Sequence, residues 1–186
     1  MTTNEFQPRN VGSAQVLGVE LELRRNFPIG THRLNFSSNL TLAHSSLEMS
    51  QQEFDSRLSL AKAGQTISNT RNMAGQAPII LNAGLSYANE ANTLDFGLYY
   101  NVKGRTLEVV GGGLFPDVYS VPFHSLNLSA NHSFGEGDKI KVGLTVDNLL
   151  TSTRESVFGS FNAQDQIFSR LNPGTAIGLS LSYSLL

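Results

Sequence analysis

The acidic pair Glu20 and Glu22 is the first feature of this sequence that could do chemistry. The two residues are separated by one position, so in a β-strand both carboxylates lie on the same face. Carboxylates held close together can divide the work of a general acid and a general base. Neighbouring positions of the same parity are also polar, which favours charge on the wetted face of a strand. We therefore predict no catalytic residue here.

Metal, cofactor and nucleophile chemistry find little support in the remaining side chains. The sequence has no cysteine, which excludes disulfides, thiolate zinc sites and cysteine nucleophiles. The glycine run at 111–113 is not followed by the Lys-Ser/Thr of a phosphate-binding loop, and no G-x-S-x-G elbow occurs. The histidines lack the spacing of metal ligands: His32, His44, His124 and His132. The sequence therefore predicts no metal site and no bound cofactor, and it indicates a protein that is not an enzyme.

A two-residue repeat of apolar and polar side chains is the dominant pattern along the chain. Since side chains alternate between the two faces of a strand, each repeat predicts a strand with one apolar and one polar face. The repeat occurs in seven segments, at 15–27, 33–44, 79–88, 93–102, 123–134, 139–149 and 175–185. The predicted fold is therefore all-β, an antiparallel meander of about seven long strands.

The polar parity of these strands is rich in amides and carboxylates. In a membrane barrel the apolar parity meets lipid and the polar parity lines the lumen. The residues predicted to face the lumen are Glu20, Glu22, Asn35, Asn39, Asn82, Asp95, Asn101, Asn127, Asn131 and Asp147.

Composition is compatible with a membrane barrel and excludes some partners. Charged residues make up 15% of the chain and the formal net charge is −2, so no nucleic-acid partner is expected. No stretch approaches the roughly 20 apolar residues of a membrane-spanning helix. A membrane-spanning strand needs only about ten residues of alternating polarity, and the seven segments meet that requirement.

The connections between the strands alternate between short and long. The long ones lie at about 47–78, 103–122 and 151–174. Outer-membrane barrels have short periplasmic turns and longer outer loops, so the alternation favours a barrel. One short helix is expected at 56–63. Charged and aromatic residues of the long connections are candidates for ligand contact: Arg57, Lys62, Arg71, Arg105, Asp117, Tyr119, Arg154, Asp165 and Arg170.

Aromatic residues close alternate strands on the side of the short turns. All of them lie on the apolar parity, where membrane barrels carry aromatic girdles at the lipid–water interface. The predicted interface girdle consists of Phe27, Tyr87, Phe134 and Tyr183.

Seven is an odd number of strands, whereas single-chain bacterial barrels contain an even number of antiparallel strands. An open sheet edge in lipid would leave backbone amides unpaired at a cost of several kcal/mol each. Either one strand escapes the pattern or the chain belongs to a larger barrel. We expect residues 1–186 to form a single segment, a partial segment of a large transmembrane β-barrel.

Several stretches in order carry a family resemblance: GVELELRRNF at 18–27, GQAPIILNAGLSY at 75–87, LYYNVKGRTLEVVG at 98–111, PDVYSVPFHSLNLSAN at 116–131, VGLTVDNLL at 142–150 and LNPGTAIGLSLSYSLL at 171–186. Together they resemble the C-terminal β-barrel portion of a TonB-dependent outer-membrane receptor. The resemblance implies a place in the bacterial cell outer membrane and a role in importing a nutrient, whose identity it does not fix.

The resemblance also implies partners. Family members share a barrel of about 22 strands with a plugged lumen and a periplasmic segment that contacts TonB. The implied partners are outer-membrane lipid, the remaining barrel strands and plug of the full receptor, and TonB through parts outside this sequence. A surface lipoprotein is a further partner that the resemblance leaves open. Because no plug, TonB-contact segment or signal peptide is found in the 186 residues, we expect a fragment that is not active alone.

Two other classes of function remain as alternatives. A soluble β-sandwich that binds a ligand or a carbohydrate would show the same alternation, with its apolar face packed inward. A small barrel enzyme acting on lipids would need an even, self-closing set of strands and a Ser/His/Asp group, and neither is visible. Exposure of the apolar face decides between barrel and sandwich, and a barrel predicts outward side chains at Leu17, Leu21, Leu40, Leu85, Phe96, Leu128, Leu144 and Leu179.

Overall fold

The computed structural model describes residues 12–89, 91, 93–112 and 114–185. One α-helix, α1 (Gln51–Ser59), and a 3₁₀ turn at Glu136–Asp138 occur in these residues. The strands are β1 (Ala14–Ile29), β2 (His32–Glu48), β3 (Thr70–Arg71), β4 (Ile79–Asn89), β5 (Leu94–Lys103), β6 (Thr106–Val109), β7 (Val118–Ser120), β8 (Phe123–Phe134), β9 (Ile140–Asp147), β10 (Arg154–Phe158), β11 (Gln166–Leu171) and β12 (Ala176–Tyr183).

Seven long strands form one antiparallel sheet in the order β1-β2-β4-β5-β8-β9-β12. The predicted all-β meander is therefore confirmed, with the strands where the two-residue repeat places them. β2 is longer than predicted, because it continues past His44 to Glu48 and pairs there with β3.

The pairing register gives the sheet two chemically distinct faces. On the polar face Asn39 lies opposite Asn82, and Asn82 lies opposite Asn101. On the apolar face Leu85 lies opposite Leu98. These ladders run without a register shift, so the period of two in the sequence is carried across neighbouring strands.

The apolar face is uncovered. Of the eight side chains predicted to point outward, none is buried: Leu17, Leu21, Leu85, Phe96 and Leu179 are exposed, and Leu40, Leu128 and Leu144 are half-buried. A soluble β-sandwich would bury this face against a second sheet. The buried apolar residues of the described ranges lie instead in or beside the long connections: Leu47, Met49, Ala77, Leu107, Val118 and Val157.

The long connections prolong the strands into a second tier. β5 leads into β6 and β7 leads into β8, so the β6–β7 hairpin extends the β5–β8 pair; β10 and β11 extend β9 and β12 in the same way. The pairing order β6-β7-β10-β11 repeats the order β5-β8-β9-β12 below it. We call the folded segments at 49–78, 104–122 and 148–175 the outer collar. The sequence predicted no strands in these segments.

The predicted helix at 56–63 has the wrong bounds, since α1 spans Gln51–Ser59. Ser50 caps the helix, and its Oγ accepts a hydrogen bond from the Glu53 N–H at 3.2 Å. Ser50 and Glu53 have the Ser-x-x-Glu spacing of a capping box, which sets where a helix begins.

Asn148 fixes the bend between β9 and the collar. Its φ of 55° is left-handed, a conformation that asparagine tolerates better than most residues. Its N–H donates to Asn127 Oδ1 at 2.9 Å, and its Nδ2 donates to the carbonyls of Ser152 and Gly174 at 3.0 and 2.8 Å. Its Oδ1 accepts the Ser152 N–H at 3.0 Å. One buried side chain thus ties both ends of the β10–β11 hairpin to the main sheet.

The main sheet has two edges in the described part of the chain, β1 and β12. Successive strands are antiparallel and there are seven of them, so β1 and β12 run in the same direction. Every residue of both strands is exposed.

Candidate functional site

The polar face of the main sheet brings several predicted lumen residues into contact. Asn39 Nδ2 donates to Glu20 Oε1 at 2.6 Å, and Asn101 Nδ2 donates to Asn82 Oδ1 at 2.8 Å. Asn35 makes a longer bond to the Ser86 hydroxyl, at 3.3 Å. These cross-strand bonds form a ladder of amides and hydroxyls on one surface.

A shallow groove of about 200 Å³ lies along this ladder. Glu22 is at one end, where it forms an ion pair of 2.5 Å with Arg24. Uncharged hydrogen-bonding groups make up most of the remaining wall, which is formed by Ser37, Ser38, Asn39, Asn82, Ala83, Gly84, Tyr99 and Asn101. The groove can therefore exchange hydrogen bonds with a polar solute through amides more than through charges.

Tyr99 is a groove residue that the sequence prediction left out. Its ring lies against two glycines, with ring atoms 3.1 Å from a Cβ placed on Gly84 and 2.7 Å from one placed on Gly97. Side chains at both positions would collide with the ring, so the glycines allow it to lie flat on the sheet. The sequence signal for this arrangement is a pair of glycines, Gly84 and Gly97, that occupy polar-parity positions beside the aromatic Tyr99.

The other predicted lumen residues lie on the same face but outside the groove. Asn127 accepts the Asn148 N–H and is therefore engaged in the collar bend. Asp95 is opposite Asn131 near the short turns, and Asp147 ends β9 near the collar.

The candidates for ligand contact in the long connections are largely bonded to one another. Arg57 of α1 donates through Nη1 and Nη2 to the two carboxylate oxygens of Asp117, at 3.0 and 2.8 Å. Asp117 also accepts the Gly111 N–H at 2.8 Å, and its carbonyl accepts the Gly159 N–H at 2.8 Å. One aspartate therefore joins all three long connections.

Glu53 completes this cluster from the first turn of α1. Its Oε1 accepts hydrogen bonds from Arg71 Nε at 2.7 Å and from Arg57 Nε at 3.2 Å. Burial lowers the pKa of Arg57, but the bonds and negative charges of Asp117 and Glu53 outweigh burial and leave that pKa raised. The guanidinium thus stays charged and holds both carboxylates.

A second set of pairs ties the β6–β7 and β10–β11 hairpins together. Arg105 donates to Asp165 at 2.8 Å and lies over the Tyr119 ring at 4.7 Å. The Ser156 hydroxyl donates to Glu108 at 2.6 Å. Burial, followed by the charge of Asp117, raises the pKa of the Tyr119 hydroxyl. The Ser160 N–H and then Arg105 lower the pKa of Asp165.

The four predicted girdle residues lie at the short-turn ends of their strands. Phe27 and Tyr87 flank Leu34 in register. Phe134 and Tyr183 flank Ile140 in the same way.

Histidines accompany the aromatic residues of the apolar face. His32 Nδ1 is 2.7 Å from the Tyr87 hydroxyl, and the His132 ring stacks on Phe134 with centroids 5.7 Å apart. At the collar end, His124 Nδ1 is 2.6 Å from the Tyr100 hydroxyl. These amphipathic rings suit a boundary between an apolar and a wet environment.

No group of three or more potential metal ligands occurs in the described residues. Over the same ranges, none of the helical structure has the length and apolar character needed to cross a bilayer.

Comparison with known proteins assigns the family. A family model for the TonB dependent receptor-like β-barrel matches residues 1–149. Comparisons with curated proteins and with solved structures found no match. The matched range runs from β1 to β9. Beyond it, β12 pairs with β9 along its whole length and so adds a strand to the main sheet, whereas β10 and β11 lie in the second sheet. Members of this family are transport receptors of the bacterial outer membrane and not enzymes. The chain belongs to the TonB-dependent receptor β-barrel family.

Proposed function

We propose that the chain forms part of the wall and the outer loops of an outer-membrane receptor that imports a nutrient. The observation that carries this proposal is the uncovered apolar face of the main sheet. In water such a continuous apolar surface marks an interaction site or an aggregation hazard. In a bilayer it is the expected outer surface of a barrel wall.

The position of the apolar side chains supports a tilted, membrane-spanning sheet. On β12, Ile177 is the apolar-face side chain nearest the collar. The pairing register connects it, across β9, β8, β5 and β4, to Phe36 on β2. On β2 the apolar-face leucine nearest the collar is Leu42. It lies roughly six residues, or about 20 Å, beyond Phe36 along the strand. This offset accumulates over the five strand spacings from β2 to β12, about 24 Å. The implied tilt of about 40° is that of strands in membrane barrels.

On this proposal, the polar face lines the lumen. Its predicted residues, from Glu20 to Asp147, are then wetted by the transport path, and the groove beside Asn39 and Asn82 is part of that path. The girdle residues Phe27, Tyr87, Phe134 and Tyr183 mark the periplasmic interface, because they lie on the apolar face at the short-turn end. The collar stands on the cell exterior, where a solute first arrives.

The open edges support a wall segment of a larger barrel. Because β1 and β12 run in the same direction, joining them would create a parallel pair, whereas outer-membrane barrels are antiparallel. An odd number of further strands between these edges gives an antiparallel closed wall. On this account the partners are the remaining strands and plug of the receptor, outer-membrane lipid, and TonB through other parts of the receptor. A surface lipoprotein over the collar fits the same arrangement.

Two adjacent residues of β8 test the membrane orientation. The chain has no cysteine, so Leu128→Cys and Ser129→Cys each introduce one thiol, on opposite faces of the same strand. In outer membranes we expect a water-soluble maleimide to label Ser129→Cys and to leave Leu128→Cys unlabelled until the membrane is dissolved. Equal labelling of both thiols before dissolution would contradict the proposal.

A further inference from the structure

Two histidine–tyrosine pairs on the apolar face have the same construction. In each pair the tyrosine lies opposite a leucine of the next strand, and the histidine stands two positions before that leucine. The histidine is therefore diagonal to the tyrosine, a distance that long and aromatic side chains can bridge. His32 Nδ1 is 2.7 Å from the Tyr87 hydroxyl. His124 Nδ1 is 2.6 Å from the Tyr100 hydroxyl.

The two pairs lie at opposite ends of the apolar face. His32 is the first residue of β2 and Tyr87 lies near the end of β4, beside the short turns. His124 is the second residue of β8 and Tyr100 lies near the end of β5, where the collar begins. Both histidines are exposed and both tyrosines are half-buried. On the proposed function, these are the two levels at which hydrocarbon gives way to lipid headgroups.

The tyrosine hydroxyl occupies one nitrogen of each histidine and leaves the other for a partner outside the sheet. A neutral imidazole has one N–H donor and one acceptor nitrogen. When the phenol donates to Nδ1, the imidazole proton lies on Nε2, because the bond at one ring nitrogen sets the state of the other. A protonated imidazole also donates from Nε2. Each pair can therefore present an Nε2–H donor at the edge of the apolar face.

Charge is divided unequally between the two faces of the main sheet. The carboxylates predicted to face the lumen lie on the polar face. On the apolar parity of the described main-sheet strands, the one carboxylate is Glu48, on the stretch of β2 that pairs with β3. Arg25 and all four histidines have the apolar parity. A ligand that meets this face below the collar finds N–H donors and a cation but no carboxylate, which suits an anionic group.

We propose that each histidine–tyrosine pair binds the phosphate of a membrane lipid, with Nε2–H of the histidine donating to a phosphate oxygen. The inference rests on the proposed function, because it needs the apolar face to lie in a bilayer. A hydrogen bond from N–H to an ionised oxygen is shorter and stronger than one between neutral groups. His32 holds a lipid at the periplasmic boundary and His124 holds one at the outer boundary. The tyrosines are positioning residues, since they fix the histidine and leave the phosphate to it.

The test is the proximity of each histidine Nε2 to lipid phosphorus, measured by solid-state NMR. The receptor, with isotope-labelled histidine nitrogens, is placed in phosphatidylglycerol vesicles, and the signals are assigned by substituting each histidine in turn. We expect phosphorus to dephase the Nε2 signals of His32 and His124. Dephasing should be weaker at His132, whose ring stacks on Phe134 and not against a hydroxyl.

Tyr100→Phe keeps the aromatic ring and removes the hydroxyl that binds His124. Dephasing should be lost at His124 and retained at His32, and Tyr87→Phe should give the reverse result. Because the two pairs are at opposite ends of the sheet, the retained signal in each variant shows that the receptor is folded and inserted.

Tyr183→Phe is the matched control. It removes a hydroxyl from the same face at the periplasmic boundary, on a strand where Tyr183 lies opposite Ile140. Neither histidine signal should change.

Vesicles of phosphate-free galactosyl diacylglycerol, with inorganic phosphate in the buffer, separate a lipid phosphate from a free ion. We expect no dephasing there, and dephasing by inorganic phosphate would overturn the lipid site. The proposal is also overturned if neither histidine is dephased in phosphatidylglycerol, or if both Tyr→Phe variants leave the dephasing unchanged. If the β8 labelling pattern holds in that case, only the lipid site is wrong; if that pattern fails too, the proposed function fails with it.

Discussion

Replacing Asn148 should loosen the collar without dissolving the main sheet. Asn148→Ala removes three side-chain hydrogen bonds, two to Ser152 and one to Gly174, worth about 0.5–1.5 kcal/mol each. It also places alanine at a φ of 55°, which costs roughly 1–2 kcal/mol. Together these losses come to about 2.5–6.5 kcal/mol for opening of the β10–β11 hairpin.

Hydrogen exchange measures this opening locally. Each 1.4 kcal/mol is about a tenfold change in an equilibrium constant, so amides of β10 and β11 should exchange at least about fiftyfold faster in Asn148→Ala. Asn148→Gly relieves the backbone strain and should recover part of the loss. The amides of β4 and β5, which lie away from the bend, should exchange at the parent rate.

Asn172→Ala provides a matched control for the same bend. Asn172 Oδ1 accepts one exposed hydrogen bond, from the Gly174 N–H at 3.0 Å, so its loss should change exchange by less than about tenfold. If Asn148→Ala and Asn172→Ala accelerate exchange equally, Asn148 does not fix the bend as described.

Three further predictions concern the two faces and the collar. Gly97→Ala puts a methyl group 2.7 Å from the Tyr99 ring, so the near-ultraviolet circular dichroism of the tyrosines should change, whereas Gly112→Ala, with no neighbour within 4 Å, should leave it unaltered. Leu98→Arg should destabilise the bilayer-inserted protein by about 2–4 kcal/mol in folding titrations, and Tyr99→Arg on the opposite face should cost less; similar losses would argue against a lipid-facing Leu98. The lowered pKa of Asp165 means that its contribution to stability is present above the ordinary aspartate pKa and is lost as pH falls through the lower folded value. NMR of the Asp165 carboxylate should measure a pKa below the ordinary aspartate value, and Arg105→Gln should raise that pKa. An ordinary pKa in the parent protein would refute the Arg105–Asp165 pairing.

The seven long strands were predictable because their signal is local. In β5 every second residue from Leu94 to Val102 is apolar, and a strand is the structure that turns this period into two faces. The observed pairing register agrees with this pattern, because a slip of one residue would place Leu98 among the amides of the polar face.

The outer collar was not predictable in the same way. β7 has three residues, and the β6–β7 and β10–β11 pairs each contain a register shift, at Leu107/Val109 and at Ser156/Val157. Short, bulged strands carry no sustained alternation, and their pairing depends on the sheet beneath them. The helix start was available from Ser50 and Glu53, since a capping box is a local signal.

The contacts of the charged residues could not be read from the sequence either. Arg57 and Asp117 are 60 positions apart, and nothing in their neighbourhoods shows that they meet. As isolated loop charges they suggested ligand contact, whereas the fold pairs them with each other. Tyr99 was missed for a related reason, because its importance comes from the gap that Gly84 opens on the adjacent strand.

A spin-label scan of β5 tests the central claim most directly, namely that lipid meets the apolar face of the sheet. Single cysteines from 94 to 103 are labelled in turn, and collision rates with oxygen and with a water-soluble nickel chelate are measured in membranes. The account predicts a period of two, with oxygen contact highest at Phe96, Leu98 and Tyr100 and nickel contact highest at the residues between them. Apolar-parity positions shielded from both reagents, as in a packed protein core, would contradict it.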